Sequence, residues 1–165
     1  MKMNFKTAVL GLTIYSFLFG CSAKQANPLE NQIKETFIEA KKAKLNGNIE
    51  KFISYFDKRY ASESTISQGK KWYEEYKKDF GRSLNAEEVI EKNKIRIYSY
   101  DCKTKDGARF ISNDNKSFFI SSPDYEPRQG DHVLMAKTKI KHPLFWDTKV
   151  YIFRKINNEW KIIGP

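Results

Sequence analysis

Few side chains in this sequence could act as a nucleophile, a base or a metal ligand. Cys102, between Asp101 and Lys103, is the only cysteine outside the N-terminal segment, and a cysteine nucleophile requires a base and an orienting group close to it in space. The two histidines, His132 and His142, are the candidate bases. No Cys or His pair has the close spacing of a structural zinc site. We therefore expect an inert Cys102, no metal and no cofactor.

His132 and Asp57 are the two candidates for acid–base catalysis. His132 begins a predicted strand and shares a face of it with Leu134 and Ala136. A histidine or aspartate that points into an apolar cavity can act as a general base once its pKa has shifted. Asp57, followed by Lys58 and Arg59, is equally well explained as a solvated helix end. Since neither candidate lies in a catalytic motif, the sequence favours a protein that is not an enzyme.

Aromatic residues are more numerous than one buried sheet face requires. The chain contains 12 Phe, 9 Tyr and 3 Trp. We expect most of them in the core, and the remainder either around a cavity for an apolar or aromatic ligand or on a face that binds a partner protein. The candidate ligand-binding residues are Trp72, Tyr76, Tyr98, Tyr100 and Trp146.

The N-terminus has the pattern of a secretory signal. Lys2 and Lys6 precede an uncharged run from Ala8 to Phe19, which at about twelve residues is shorter than the roughly 20 that a membrane-spanning helix needs. The run ends in Leu18-Phe19-Gly20-Cys21, which resembles the lipobox of bacterial lipoproteins. In that family the cysteine thiol receives diacylglycerol, and cleavage before it makes the cysteine the acylated N-terminus.

This resemblance implies a location and an organisation for the chain. Residues 1–20 would be the signal peptide, Cys21 the lipidation site (diacylglyceryl and palmitate) and residues 21–28 a polar tether. The protein would be anchored to a membrane of the cell envelope. In a host with two membranes, Ser22 resembles the sorting signal for the outer membrane, facing the periplasm.

The basic charge of the chain, +10 from 30 Lys+Arg and 20 Asp+Glu, bears on its partners. Solvated helix faces explain much of it, and an anionic neighbour is the functional alternative. Nucleic acid is excluded as a partner because the chain carries an export signal and arginine, the usual base-reading residue, is scarce. The predicted partners are the membrane itself, through Cys21, and either anionic lipid or another envelope protein.

The secondary-structure elements that position these residues are predicted to be helices in the N-terminal half of the chain and strands in the C-terminal half. Asn27 and Pro28 signal a helix start, and Asn85 and Glu88 form a capping box. Helical spacing predicts helices over 29–45, 48–56, 68–80 and 86–92, with an irregular segment over 57–68.

The apolar period then changes to two. It predicts strands over 95–100, 109–112, 116–121, 131–141, 145–156 and 159–163, with tight turns at 113–115 and 157–158. The expected fold is α+β, one domain over 29–165, in which N-terminal helices pack on a curved antiparallel sheet of about six strands.

The order of these elements resembles a known superfamily. The chain begins with a helix, a corner at Asn46-Gly47-Asn48 and a short helix that runs into Tyr55-Phe56-Asp57. A third helix follows, and then a sheet that closes on the hairpin with Trp160. This order resembles the nuclear transport factor two-like superfamily. The resemblance covers residues 29–164. It implies a cone-like fold around one apolar cavity, with Asp57 and Tyr60 where relatives place polar cavity residues.

Three functions remain open at this level. The leading interpretation is a lipid-anchored envelope protein that binds an apolar small ligand or an envelope protein without catalysing a reaction. The first alternative is a cavity-based enzyme of the same fold that uses a general base. The second is an immunity-type lipoprotein that blocks a toxin by surface complementarity.

Overall fold

The computed structural model describes residues 27–121, 125–145 and 148–164, and has an α+β architecture, as expected. The predicted signal peptide, Cys21 and Trp146 lie outside the described residues. The helices are α1 Pro28–Leu45, α2 Ile49–Ser54, α3 Glu63–Phe80 and α4 Ala86–Val89, with short 3₁₀ turns at Lys58–Tyr60 and Lys92–Lys94. The strands are β1 Arg96–Thr104, β2 Gly107–Ile111, β3 Ser117–Ile120, β4 His132–Lys137, β5 Thr148–Ile156 and β6 Glu159–Gly164.

The six strands form one antiparallel sheet in the order β3-β2-β1-β4-β5-β6. The turn at Asn157-Asn158 joins β5 to β6 with positive φ at both residues (49° and 66°), the geometry that tight hairpins prefer. Among the described residues, none of the helices combines the length and the apolar character needed to cross a bilayer.

The corner between α1 and α2 is made by local capping, as the sequence predicts. The Asn48 side chain accepts a hydrogen bond from the Lys51 N–H (3.0 Å) at the start of α2, and at the distant start of α1 the Asn27 side chain accepts one from the Leu29 N–H (3.1 Å). At the corner, Gly47 has φ +74°, and a Cβ there would lie 2.4 Å from the Tyr73 ring. Only glycine therefore allows α3 to approach the corner this closely.

The prediction of an irregular segment over 57–68 is wrong in its second half, because α3 begins at Glu63. Ser62 caps the helix by accepting a hydrogen bond from the Thr65 N–H at 3.2 Å. The first turn is polar and largely exposed to solvent, so it carries no apolar periodicity that would reveal a helix. At the other end, Gly81 is a left-handed C-cap, a position that favours glycine.

Helix α4 and strand β4 are both shorter than predicted, and for the same reason. The Glu91 N–H donates to the Lys137 carbonyl (3.1 Å), and the Lys139 N–H donates to the Val89 carbonyl (2.8 Å). This pairing stops α4 at Val89 rather than 92 and takes the chain out of the sheet after Lys137 rather than 141. Strand β1 is longer than predicted, so Cys102 lies within it and not at its end.

The sheet buries apolar side chains on both faces. On the face toward the helices, Leu134, Phe153 and Trp160 join the core of α1 to α4. Trp160 is 8% exposed, and its Nε1–H donates to Gln32 Oε1 of α1 at 3.3 Å, which confirms that the last strand packs on the helices. On the opposite face, Phe110 and Val133 belong to a second apolar cluster, onto which Tyr125 packs.

Candidate functional site

A cavity of about 260 Å³ lies beside α1 and α3, next to the segment that follows β4. We call it the lysine pocket because Lys41 and Lys44 of α1 and Lys149 of β5 line it. Its apolar walls include Trp72 of α3, Val89 of α4, and Pro143, Leu144 and Phe145 of the segment between β4 and β5. It combines an apolar surface with three amines in one concave site.

The aromatic wall of the lysine pocket is held rigidly by the core. Trp72 and Tyr76 are four residues apart on α3, and their rings stack with centroids 5.2 Å apart and an interplanar angle of 5°. Phe145 packs edge-on against both rings, at 6.0 and 6.1 Å. Tyr76 is fully buried, and its hydroxyl accepts a hydrogen bond from the Leu84 N–H. Trp72 is half-buried. Its ring therefore has an exposed part that faces the pocket, while Tyr76 and Phe145 hold it in place.

Two lysines of the pocket lie over aromatic rings. Lys44 Nζ is 4.0 Å from the centroid of the Trp72 ring and 5.3 Å from that of Phe52. Lys41, which is 8% exposed, has its Nζ 5.2 Å from the Tyr151 ring centroid. Residues three apart lie on one face of a helix, so the face of α1 that is buried also carries these two amines. Ring faces attract ammonium groups but do not neutralise their charge.

Burial and the neighbouring amines disfavour the charged forms of Lys44 and Lys149. Burial, followed by the charges of Lys41 and Lys149, lowers the pKa of Lys44 from its ordinary value to about 7. Burial and then Lys41 lower the pKa of Lys149 to about 8. Within the described part of the chain, no carboxylate oxygen lies within 4 Å of Nζ of Lys41 or Lys44.

His132, the first catalytic candidate, lies on the helix side of the sheet with Leu134 and Ala136, as the sequence predicts. Its ring packs edge-on against Trp160 with centroids 5.3 Å apart, and its Nδ1 lies 2.9 Å from the Gly130 carbonyl oxygen. Burial lowers the pKa of His132, so the neutral ring is favoured. It does not line the lysine pocket.

Asp57, the second catalytic candidate, caps the 3₁₀ turn that follows α2. Its carboxylate accepts hydrogen bonds from the Arg59 N–H (3.0 Å) and Nε–H (2.8 Å). These bonds hold the pKa of Asp57 below its ordinary value. Its backbone N–H donates to the Ile162 carbonyl of β6. Asp57 therefore has the helix-end role that the sequence left open, but its side chain is only 16% exposed rather than solvated. It does not line the lysine pocket.

The structure does not gather Cys102 and the histidines. Cys102 pairs with Arg109 across β1 and β2, whereas His132 pairs with Ser99. His142 lies beyond β4, where its ring packs on Phe80 and its Nε2 is 3.6 Å from Asp79 Oδ2. Among the described residues, no group of three or more His, Cys, Asp and Glu side chains could hold a metal ion.

The predicted ligand-binding aromatic residues fall into two groups. Trp72 lines the lysine pocket, with Tyr76 behind it. Tyr98 and Tyr100 lie on the opposite face of the sheet, where Tyr98 contacts Phe118 at 5.5 Å and Tyr100 contacts Phe110 at 5.9 Å between centroids. Since the sheet separates the two groups, they cannot bind one ligand together. Trp146 lies outside the described residues.

A buried charge cluster on the second face of the sheet was not predicted. Asp131 is fully buried, and its two carboxylate oxygens each accept a hydrogen bond from the Arg154 guanidinium at 2.7 Å. The Tyr125 hydroxyl (2.7 Å) and the Arg128 N–H (2.9 Å) donate to Oδ2 of the same carboxylate. Burial and then the Asp131 carboxylate raise the pKa of Tyr125. Both carboxylate oxygens of Asp131 already accept hydrogen bonds from the protein. We therefore assign a structural role to this cluster, which holds the 125–130 segment on the sheet.

A second depression is wider and more open than the lysine pocket. It has a volume of about 520 Å³ and lies over Trp160, between α1 and the turn from β5 to β6. Glu35, Glu39 and Glu159 line it, so its charge is opposite to that of the lysine pocket. The lysine pocket and this depression therefore differ in the charge of the ligand that they suit.

Sequence reasoning missed the lysine pocket, although part of its signal is present in the sequence. Lys41 and Lys44 continue the apolar spacing of Phe37 and Ala40 along α1, which indicates that they lie on the buried face. The contribution of Lys149 depends on how β5 packs, and no local pattern reveals it.

No family model, no curated protein and no solved structure matches this chain.

Proposed function

We propose that this protein is a non-catalytic binding module, anchored to a membrane of the cell envelope through Cys21, that takes a small apolar ligand in the lysine pocket. The observation that carries the proposal is the concave wall formed by Trp72, Leu144 and Phe145. Ligand sites are typically concave, largely apolar and preformed, with a few polar groups that orient the ligand. At about 260 Å³ the pocket is slightly smaller than the sites of about 300–1,000 Å³ that hold drug-sized ligands.

The interactions of the two acid–base candidates support binding rather than catalysis. A general base must reach the proton that it removes, whereas His132 packs against Trp160 and Asp57 is held by Arg59. Neither side chain lines the pocket. The cavity-based enzyme therefore has less support than the binding module.

The membrane anchor is supported by the sequence pattern that ends at Cys21. The residues from Cys21 to Asn27, which precede the start of α1, reach at most about 25 Å when fully extended, so the domain would lie close to the lipid surface. The net charge of +10 falls to +8 once Lys2 and Lys6 leave with the signal peptide, and this positive charge would favour the neighbourhood of anionic lipid. An envelope protein remains the alternative partner.

Binding in the pocket can be tested with a neutral fluorescent probe, N-phenyl-1-naphthylamine, and the purified protein. We expect the probe to bind, and Trp72→Ala to weaken its affinity about tenfold or more, because truncation removes most of one apolar wall. Tyr100→Phe, on the opposite face of the sheet, is the control and should leave binding unchanged. If Trp72→Ala has no effect while the Tyr100 variant weakens binding, the pocket is not the site.

The anchor can be tested by expression in a bacterial host. We expect the intact mass to correspond to a chain that begins at an acylated Cys21, and the protein to partition into detergent. Cys21→Ser should release it into the aqueous phase. A product that begins at another residue, or membrane association that survives Cys21→Ser, would rule out the lipid anchor.

A further inference from the structure

We propose that the ligand of the lysine pocket carries an oxyanion, most simply a carboxylate, bound between the ammonium groups of Lys44, Lys41 and Lys149 with its apolar body against Trp72. This inference rests on the proposed function, because it assigns the chemical class of the ligand to the same site. It identifies the ligand as a small aromatic or aliphatic acid rather than a neutral apolar molecule.

The first argument is the contrast between the pocket and the rest of the surface. Six lysines elsewhere lie within 4 Å of a carboxylate oxygen: Lys34, Lys42, Lys92, Lys94, Lys116 and Lys161. The other described lysines outside the pocket are exposed, so water solvates their charge. Lys41 and Lys44 lack such a partner among the described residues, although both are more buried than Lys42 next to them. A buried ammonium is costly unless an anion accompanies it. A bound oxyanion would supply the missing charge.

The second argument is the mutual repulsion of the amines. Lys44 is faced by Lys41 from its own helix and by Lys149 from β5. The other neighbours that the structure gives it, Trp72 from α3 and Phe52 from α2, carry no charge. Burial and then the charges of Lys41 and Lys149 lower the pKa of Lys44 to about 7, and burial and then the charge of Lys41 lower the pKa of Lys149 to about 8. An anion between the amines opposes both shifts because an opposite charge nearby favours the protonated form. Binding at pH 8 would therefore take up protons.

The third argument is the adjacency of charge and apolar wall. Lys44 Nζ lies 4.0 Å from the centroid of the Trp72 ring, so an anion that contacts Lys44 is immediately beside the indole. A ligand that contacts both the Lys44 ammonium group and the Trp72 indole must carry its charged group directly on its apolar body. The cavity of about 260 Å³ restricts that body to a small one, since drug-sized ligands occupy about 300–1,000 Å³. A one- or two-ring aromatic acid has these properties.

The experiment compares 2-naphthoate with 2-naphthamide, which has nearly the same shape and no charge. Calorimetric titrations of the purified full-length chain at pH 8 are run in two buffers with different ionisation enthalpies. We expect naphthoate to bind at least about tenfold more tightly than naphthamide, since hydrogen bonds to charged groups are the stronger ones. We also expect proton uptake with naphthoate and none with naphthamide.

The variants assign the effect to the pocket. Lys44→Met should reduce the affinity for naphthoate to about that for naphthamide while naphthamide binding persists, and that persistence shows that the pocket has folded. Lys42→Met is the matched control: Lys42 is exposed, lies two residues away and pairs with Glu39 at 2.8 Å. It should change neither affinity.

The outcomes separate the two proposals. Equal affinities for naphthoate and naphthamide, both reduced by Trp72→Ala, would overturn the oxyanion and leave the apolar binding site intact. A preference for naphthoate that survives Lys44→Met and Lys149→Met would also overturn the inference. Absence of binding by either compound and by N-phenyl-1-naphthylamine would overturn the proposed function together with it.

Discussion

Replacing Asp131 with asparagine keeps the shape of the side chain and removes its charge. In the structure the carboxylate is fully buried and accepts two hydrogen bonds from Arg154, one from Tyr125 and one from the Arg128 N–H. Asp131→Asn leaves the Arg154 guanidinium without its anion, in a position where its side chain is 12% exposed. We therefore expect Asp131→Asn to destabilise the protein strongly.

The expected magnitude follows from the burial of the pair. Removing one partner of a buried ion pair costs about 3–5 kcal/mol. The Arg154 guanidinium also donates to the Glu126 carbonyl at 2.8 Å, which it keeps in the variant, so we place the loss near the lower limit, about 3 kcal/mol. At roughly 2–8 °C per kcal/mol for domains of this size, the melting temperature should fall by about 10 °C.

Urea unfolding and thermal melting measure this loss. Lys92→Met, which breaks the exposed pair with Glu87, is the control and should cost at most about 1 kcal/mol. The double variant Asp131→Asn, Arg154→Met should lose less than the sum of the single variants, because it leaves no uncompensated charge. A melting temperature for Asp131→Asn within about 2 °C of the parent protein would refute the reasoning.

Three further predictions concern the core, a tight turn and the pocket. Trp160→Ala should lower the free energy of unfolding by about 3–5 kcal/mol because it removes a buried ring from the interface between β6 and α1; a melting curve like that of the parent would place Trp160 in solvent. Gly107→Ala should destabilise the protein by more than Gly81→Ala, since φ is +153° and a Cβ at Gly107 would lie 1.9 Å from the Ile120 carbonyl oxygen, whereas the space around Gly81 is open. Gly81→Ala, at φ +64°, should cost about 1–2 kcal/mol in urea unfolding, and equal losses would contradict the close approach at Gly107. The lowered pKa of Lys44 predicts that stability increases with pH from about 7 to about 10, because the unfolded chain binds more protons in that range. The unfolding free energy should therefore increase less between pH 7 and pH 9.5 for Lys44→Met than for the parent protein. An equal increase in both proteins would show that Lys44 titrates normally.

Much of the fold could be predicted because its signals are local. The caps at Asn27, Asn48 and Asn85 depend on neighbouring residues alone, and each lies where the sequence places it. The start of α3 was missed because its exposed first turn carries no apolar spacing. The ends of α4 and β4 were missed because hydrogen bonds between the two segments set them.

The candidate site shows the same division. The sequence by itself determined the α+β order of the elements and the apolar face of α1, because helical periodicity is a property of consecutive residues. Lipidation at Cys21 stays a prediction from the sequence. Only the tertiary structure decided that Lys149 joins the two lysines of α1, that Trp72 and Tyr98 lie on opposite faces of the sheet, and that Asp131 pairs with Arg154. The physical reason is that burial and charge pairing depend on which elements meet in space, and no local pattern of residues encodes that contact.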